Sequence, residues 1–188
     1  MTALFDEAAD LQNFIEENGW DFYFVGGVAV QFWGEPRLTY DLDLTVFTDL
    51  SNESDFIKKF LEKYRPKFHD ADEFALTNRV LPLWTASNTG IDVNLAGFSD
   101  LSNTFARSSY QKLTDTISLR VCSAEDLLIM KTIAGRPKDW LDAESIIIKQ
   151  SELDWSYVDS SLSELELYPD IKDHVDHLHG LKEIFFRK

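Results

Sequence analysis

Residues 40 to 47 alternate so strictly that an extended strand is the local structure that accommodates them. Leu42, Leu44 and Val46 fall on one side, and Asp41, Asp43 and Thr45 on the other, because side chains two apart in a strand share a face. The apolar side requires a core. On the acidic side, two carboxylates start roughly 6 to 7 Å apart at the backbone and can converge. At an effective dielectric of about 20 and a separation of about 5 Å their repulsion is about 3 kcal/mol. Proton uptake, water, a basic partner or a divalent cation relieves it, and a hard cation with oxygen ligands is the most productive of these. A solvated strand face in an acidic chain is the plainer alternative. A calcium loop is excluded, since the sixth position counted from Asp41 is Val46 rather than Gly and the twelfth is Asn52 rather than Glu.

Upstream of this strand, the run Phe22 to Val25 reads as a short buried strand. It meets Gly26 and Gly27 before Val28, Ala29, Val30 and Phe32 take up helical spacing. A helix N-terminus after a glycine turn lets a phosphate approach the main chain closely, so phosphate cradle and acidic pair are expected side by side. An amphipathic helix over Leu4 to Ile15, ended by Gly19, precedes them. Asn52 to Tyr64 reads as a further helix, and Val80 to Ala86 with Ile91 to Leu95 as a hairpin around Asn88, Thr89 and Gly90. In its second strand Asp92 and Asn94 oppose the apolar Ile91, Val93 and Leu95, which makes Asp92 the candidate third acid. Ile117 to Cys122 is another strand, Ser123 with Asp126 forms a capping box for a helix over Ala124 to Ala134, and Gly135 and Pro137 end it. From Asp139 onward the spacing is helical. The expected fold is α/β (α+β), a mixed sheet flanked by helices, with a core over residues 1–122 and a helical C-terminal part over residues 123–188 packed on it.

Composition narrows the partners. The 188 residues carry 18 Lys+Arg against 33 Asp+Glu, a formal net charge of −15, which disfavours diffuse adhesion to nucleic acid or anionic lipid. Cys122 is the single cysteine, so neither an intramolecular disulfide nor a cysteine-rich zinc site can form. No apolar run approaches the roughly 20 residues of a membrane span, and Met1 to Asp10 lacks a basic start followed by an apolar stretch. A soluble, cytoplasmic protein with no membrane partner is expected.

The residues Gly26, Gly27, Val28, Ala29, followed by Arg37, Leu38, Thr39, Tyr40, Asp41, Leu42, Asp43, resemble the nucleotidyltransferase superfamily that includes DNA polymerase beta. They look like the glycine pair and the Arg-x-Thr-x-Asp-x-Asp variant of its AbiEii-type, MenT-like toxin and orphan members. The likeness extends through Ser123 to Asp126, Lys131, Gly135, Arg136, Pro137, Lys138, Asp139 and Asp142. It implies a Mg²⁺-dependent enzyme, with a two-metal site conceivable, that moves a nucleoside monophosphate from an NTP such as ATP to a hydroxyl acceptor and releases pyrophosphate. By the same likeness Asp41, Asp43 and Asp92 hold metal, Gly26 and Gly27 hold the triphosphate, Lys131 acts in catalysis and nucleotide binding, and Arg37, Thr39 and Asp142 line the nucleotide site. The acceptor is a tRNA 3′ end, a protein or a small molecule, and the toxin members bring a cognate antitoxin as partner. A non-catalytic, partner-binding member of a toxin-antitoxin-like system is the alternative.

Other residues admit two readings each. Lys131 shares a helix face with Leu127 and Ala134 and either meets an anion or snorkels to solvent. Arg37 supports the carboxylates or phosphate, or belongs to a plain loop surface. Arg136, Lys138 and Asp142 form a salt-bridge network or touch substrate. Asp170, His174 and His177 on one helical face, with His179 nearby, could hold zinc or complement a helix C-terminus. Trp140, Trp155, Leu162 and Leu165 read as core.

Overall fold

The computed structural model describes residues 2–48, 53–163, 165 and 168–185. In chain order the elements are α1 (Thr2–Glu17), β1 (Phe22–Phe24), α2 (Gly26–Trp33), β2 (Asp41–Thr48), α3 (Glu53–Lys63), β3 (Arg65–Pro66), α4 (Ala71–Asn78), β4 (Val80–Trp84), β5 (Gly90–Gly97), α5 (Phe98–Arg107), β6 (Ser109–Lys112), β7 (Ser118–Val121), α6 (Ala124–Ala134), α7 (Pro137–Lys149), α8 (Trp155–Ser163) and α9 (Pro169–Phe185). They form two compact units, Met1–Ala29 with Leu38–Cys122, and Val30–Arg37 with Ser123–Lys188. The segment Val30–Arg37 thus groups with the C-terminal residues rather than with its neighbours in sequence.

The first unit holds a seven-stranded mixed sheet in the order β3-β4-β5-β2-β1-β7-β6. Strand β2 runs parallel to β5 and antiparallel to β1, and β1 is parallel to β7. Leu42, Leu44, Val46, Phe22, Phe24, Ile91 and Val93 are buried, together with Phe5, Ala8, Leu11 and Ile15 of α1, as the spacing of both elements predicts. The polar face of β2 is open only at its start. Thr45 and Phe47 are buried, the Phe47 ring stands 5.3 Å from Phe105 of α5, and Tyr23 Oη lies 2.9 Å from Thr104 Oγ1. Helix α5 covers the far end of that face, and this leaves Asp41 exposed and Asp43 half-buried.

In the second unit, α6 to α9 enclose a core of Leu128, Ile129, Ala143, Ile147, Val158, Leu162, Val175 and Leu178, with Trp140, Trp155 and Leu165 packed against it. Helix α6 begins at Ser123, whose Oγ accepts from the Asp126 N–H at 3.0 Å, and ends at Gly135 with φ +59°. Among the described residues no helix is long and apolar enough to cross a membrane.

Candidate active site

The register of two parallel strands builds the site in the first unit. Asp43 on β2 pairs with Asp92 on β5, and Asp41 pairs with Gly90. Directly paired residues share a sheet face, as do residues two apart along a strand. Asp41, Asp43 and Asp92 therefore stand on one face at the uncovered start of β2.

Three glycines make room for these groups. Gly26 opens α2 at φ +57°, a left-handed conformation that costs other residues strain, and a Cβ there would collide with the Asp43 carboxylate. A Cβ on Gly27 would collide with the Thr39 hydroxyl, which donates to Asp41 O at 3.3 Å. A Cβ on Gly90 would collide with Asp41 Oδ1. The glycine pair forms the first turn of α2 rather than preceding it, and Thr39 joins it directly. Gly90 was expected only as a hairpin residue, yet it serves the acidic face.

Lys67 was not singled out by sequence. It follows the two-residue β3, and its ammonium donates to Asp92 Oδ1 at 2.8 Å. Among the described residues no three His, Cys, Asp or Glu side chains are gathered so as to hold a metal ion. The three acids share a face without converging, and Asp92 is engaged by the lysine. Two carboxylates suit Mg²⁺, which commonly takes one or two together with water and substrate phosphate oxygens. Asp41 and Asp43 fit that donor set.

The remaining sequence-selected residues meet in the second unit. Arg37 grips Asp142 with two bonds, Nε to Oδ1 at 2.6 Å and Nη2 to Oδ2 at 2.7 Å. Lys131, only 6% exposed, lies 2.7 Å from both Asp139 Oδ1 and Asp142 Oδ2. Arg136 Nε donates to Asp139 Oδ2 at 2.6 Å. Burial pushes the two carboxyls up, but hydrogen bonds and charge from Lys131 and Arg136 on Asp139, and from Arg37 and Lys131 on Asp142, outweigh it and hold both below the ordinary carboxylate value. Lys131 thus meets anions supplied by the protein itself. Lys138 is exposed.

Two histidines of α9 share one aromatic partner and the third has an acid. The Trp140 ring lies 5.7 Å from His174 and 4.4 Å from His177, while His179 Nε2 is 3.0 Å from Asp159 Oδ1. The Asp170 side chain lies outside the described residues.

Comparison with known proteins follows the same lines. Residues 2–178 match the family model described as "Nucleotidyltransferase of unknown function (DUF6036)". No curated protein sequence matches. Among solved structures, the chain is similar to an antigenic nucleotidyltransferase-like protein from Paracoccidioides brasiliensis, with TM-score 0.52, 16% identity, and 98% of this chain and 97% of that one covered. It is similar to the antibiotic-resistance factor ANT(2'')-Ia, with TM-score 0.61, 14% identity and coverages of 94% and 98%. It is also similar to the lincosamide antibiotic adenylyltransferase LnuA in its lincomycin-bound form, with TM-score 0.52, 15% identity and coverages of 72% and 91%. At these identities the likeness is one of fold.

Proposed function

Because the chain belongs to the DUF6036 nucleotidyltransferase family, we propose that it transfers a nucleoside monophosphate from an NTP to a hydroxyl acceptor and releases pyrophosphate. The observation that carries this reading is the pairing of Asp43 with Asp92 beside the glycine turn that Asp43 itself fills. Asp41 and Asp43 would hold Mg²⁺, which when bound offsets the negative charge building on the phosphates. The turn at Gly26 and Gly27 brings main chain close to where the triphosphate would lie. Asp92 takes the proton of the acceptor hydroxyl as its oxygen bonds to the α-phosphorus. The bond from that phosphorus to the bridging oxygen then breaks, and pyrophosphate leaves with the electron pair. In the second unit, Arg37, Lys131 and Asp142 are fixed by their mutual ion pairs.

The charge of −15 supports a small hydroxyl-bearing acceptor over a large RNA, and two structural neighbours are named for antibiotics. The AbiEii or MenT-like reading, with a tRNA 3′ end or protein as acceptor and an antitoxin as partner, rests on the sequence resemblance alone, carried by Gly26 and Gly27, the Arg37 to Asp43 motif and the residues from Ser123 to Asp142. The test incubates the chain with Mg²⁺, each α-phosphate-labelled NTP, and in parallel total tRNA, cell protein or a panel of small polyols and amino sugars. Label transfer lost in Asp43→Asn supports the reading. No transfer to any acceptor, with no NTP-dependent rise in melting temperature, favours a partner-binding protein instead.

A further inference from the structure

We propose that Lys67 is a positioning residue that holds Asp92 out of the metal-binding set, so that the third acid faces the acceptor and the cation rests on Asp41 and Asp43. This depends on the reading of Asp41 and Asp43 as the metal pair and goes beyond it by giving the third acid a different partner. The Lys67 backbone N–H donates to Pro82 O at 3.0 Å. Pro82 is the β4 residue opposite Asp92, and Asp92 is opposite Asp43. A single row therefore crosses the sheet from Lys67 through Pro82 and Asp92 to Asp43. The proline between them is short and has no side-chain polar group, so the lysine stem can cross it and place its ammonium on Asp92 Oδ1 at 2.8 Å.

Two further contacts fix that ammonium. It lies 5.2 Å from the centre of the Trp84 ring, which stands two residues beyond Pro82 on the same face. A Cβ built on Gly90 would come within 3.1 Å of it and would also collide with Asp41 Oδ1, so this glycine borders both the first acid and the lysine. The Lys67 and Asp92 side chains are 20% and 35% exposed, which limits competition from water. Charge agrees: one divalent cation and one ammonium neutralise three carboxylates, whereas a second divalent cation beside Lys67 would leave an excess of positive charge before any phosphate arrives.

The test is Mn²⁺ binding to the full chain, read from the electron paramagnetic resonance of the free ion at about 0.15 M KCl to screen diffuse surface binding. Asp43→Asn is expected to weaken binding by about tenfold or more, and Asp92→Asn to stay within about twofold of wild type. Lys67→Met is expected to tighten it several-fold, and this gain should vanish in the Lys67→Met, Asp92→Asn double variant, since the cycle isolates the pair. Lys67→Arg keeps wild-type binding, and Lys67→Gln replaces the Met variant should that fail to fold. If Asp92→Asn loses as much as Asp43→Asn, or the gain persists without Asp92, the role of Lys67 is overturned and the metal pair stands. If wild type and Asp43→Asn bind Mn²⁺ alike, the metal pair itself falls, and the role of Lys67 falls with it.

Discussion

Gly26 and Gly19 separate two effects that a glycine can have. Both sit at positive φ, +57° and +71°, so alanine at either costs about 1 to 2 kcal/mol in backbone strain. A Cβ on Gly19 meets nothing within 4 Å, whereas one on Gly26 strikes the Asp43 carboxylate. Both alanine variants are expected to lower the urea midpoint, Gly26→Ala by more because its Cβ also strikes Asp43. Only Gly26→Ala should also cost nucleotide transfer, by about tenfold or more if Asp43 moves off its mark. Loss of transfer in Gly19→Ala to the same degree would show that stability alone sets the rate. The network around Lys131 makes a different demand. Its side chain and those of Asp139 and Asp142 are 8%, 0% and 3% exposed, so Lys131→Met leaves two buried carboxylates short of a partner and should destabilise the fold by about 3 kcal/mol. Since both carboxyls titrate below their ordinary value in the folded chain, the unfolded chain takes up protons first as pH falls. Their contribution is fully present above about pH 4 and is lost as pH drops through the depressed folded values. Lys131→Met should therefore flatten the acid limb of a urea-midpoint profile, and an unchanged limb would contradict the assignment.

Elements were legible where their signals are local. Helix α6 has the boundaries its Ser123 cap and Gly135 stop predict, and β2 and the β4-β5 hairpin follow from alternation and turn residues. Four elements were not foreseen. Strand β3 has two residues, β6 is the polar edge sequence Ser-Tyr-Gln-Lys, and α4 and α5 carry Asp, Asn, Ser and Thr in patterns that read as loop. The same limit governs the acidic face. Asp41 and Asp43 share a side by period alone, but Lys67 and Gly90 are recognisable only once the register of β3, β4, β5 and β2 aligns them. The cap of α6 also does more than its motif states. Asp126 accepts from the Ser123 hydroxyl at 2.6 Å through Oδ2 and from the Tyr157 hydroxyl of α8 at 2.6 Å through Oδ1, so the helix start is tied to a neighbouring helix. Ser123→Ala should cost about 1 kcal/mol in urea unfolding. Asp126→Ala should cost more, because it also removes the hydrogen bond from the Tyr157 hydroxyl. Equal losses would show that the tie to α8 adds nothing.

At the scale of the whole molecule, charge distinguishes the acceptor classes that the fold leaves open. A net charge of −15 surrounds a site whose nucleotide substrate is itself an anion, so the two repel at long range. Salt shortens that range to about 10 Å at 0.1 M. Raising KCl from about 0.02 to 0.2 M should therefore ease nucleotide association and lower its KM. An acceptor carrying amines is drawn in by the same field and should show the opposite trend, its KM rising over that interval. A neutral polyol should show no trend. A tRNA acceptor is a polyanion held by local contacts at most, and its KM should track that of the nucleotide at the low end of the range. Steady-state kinetics with each acceptor across the salt series reads these slopes directly. A cationic acceptor whose KM falls with salt would show that its encounter is governed by a local positive patch rather than by the acidity of the chain.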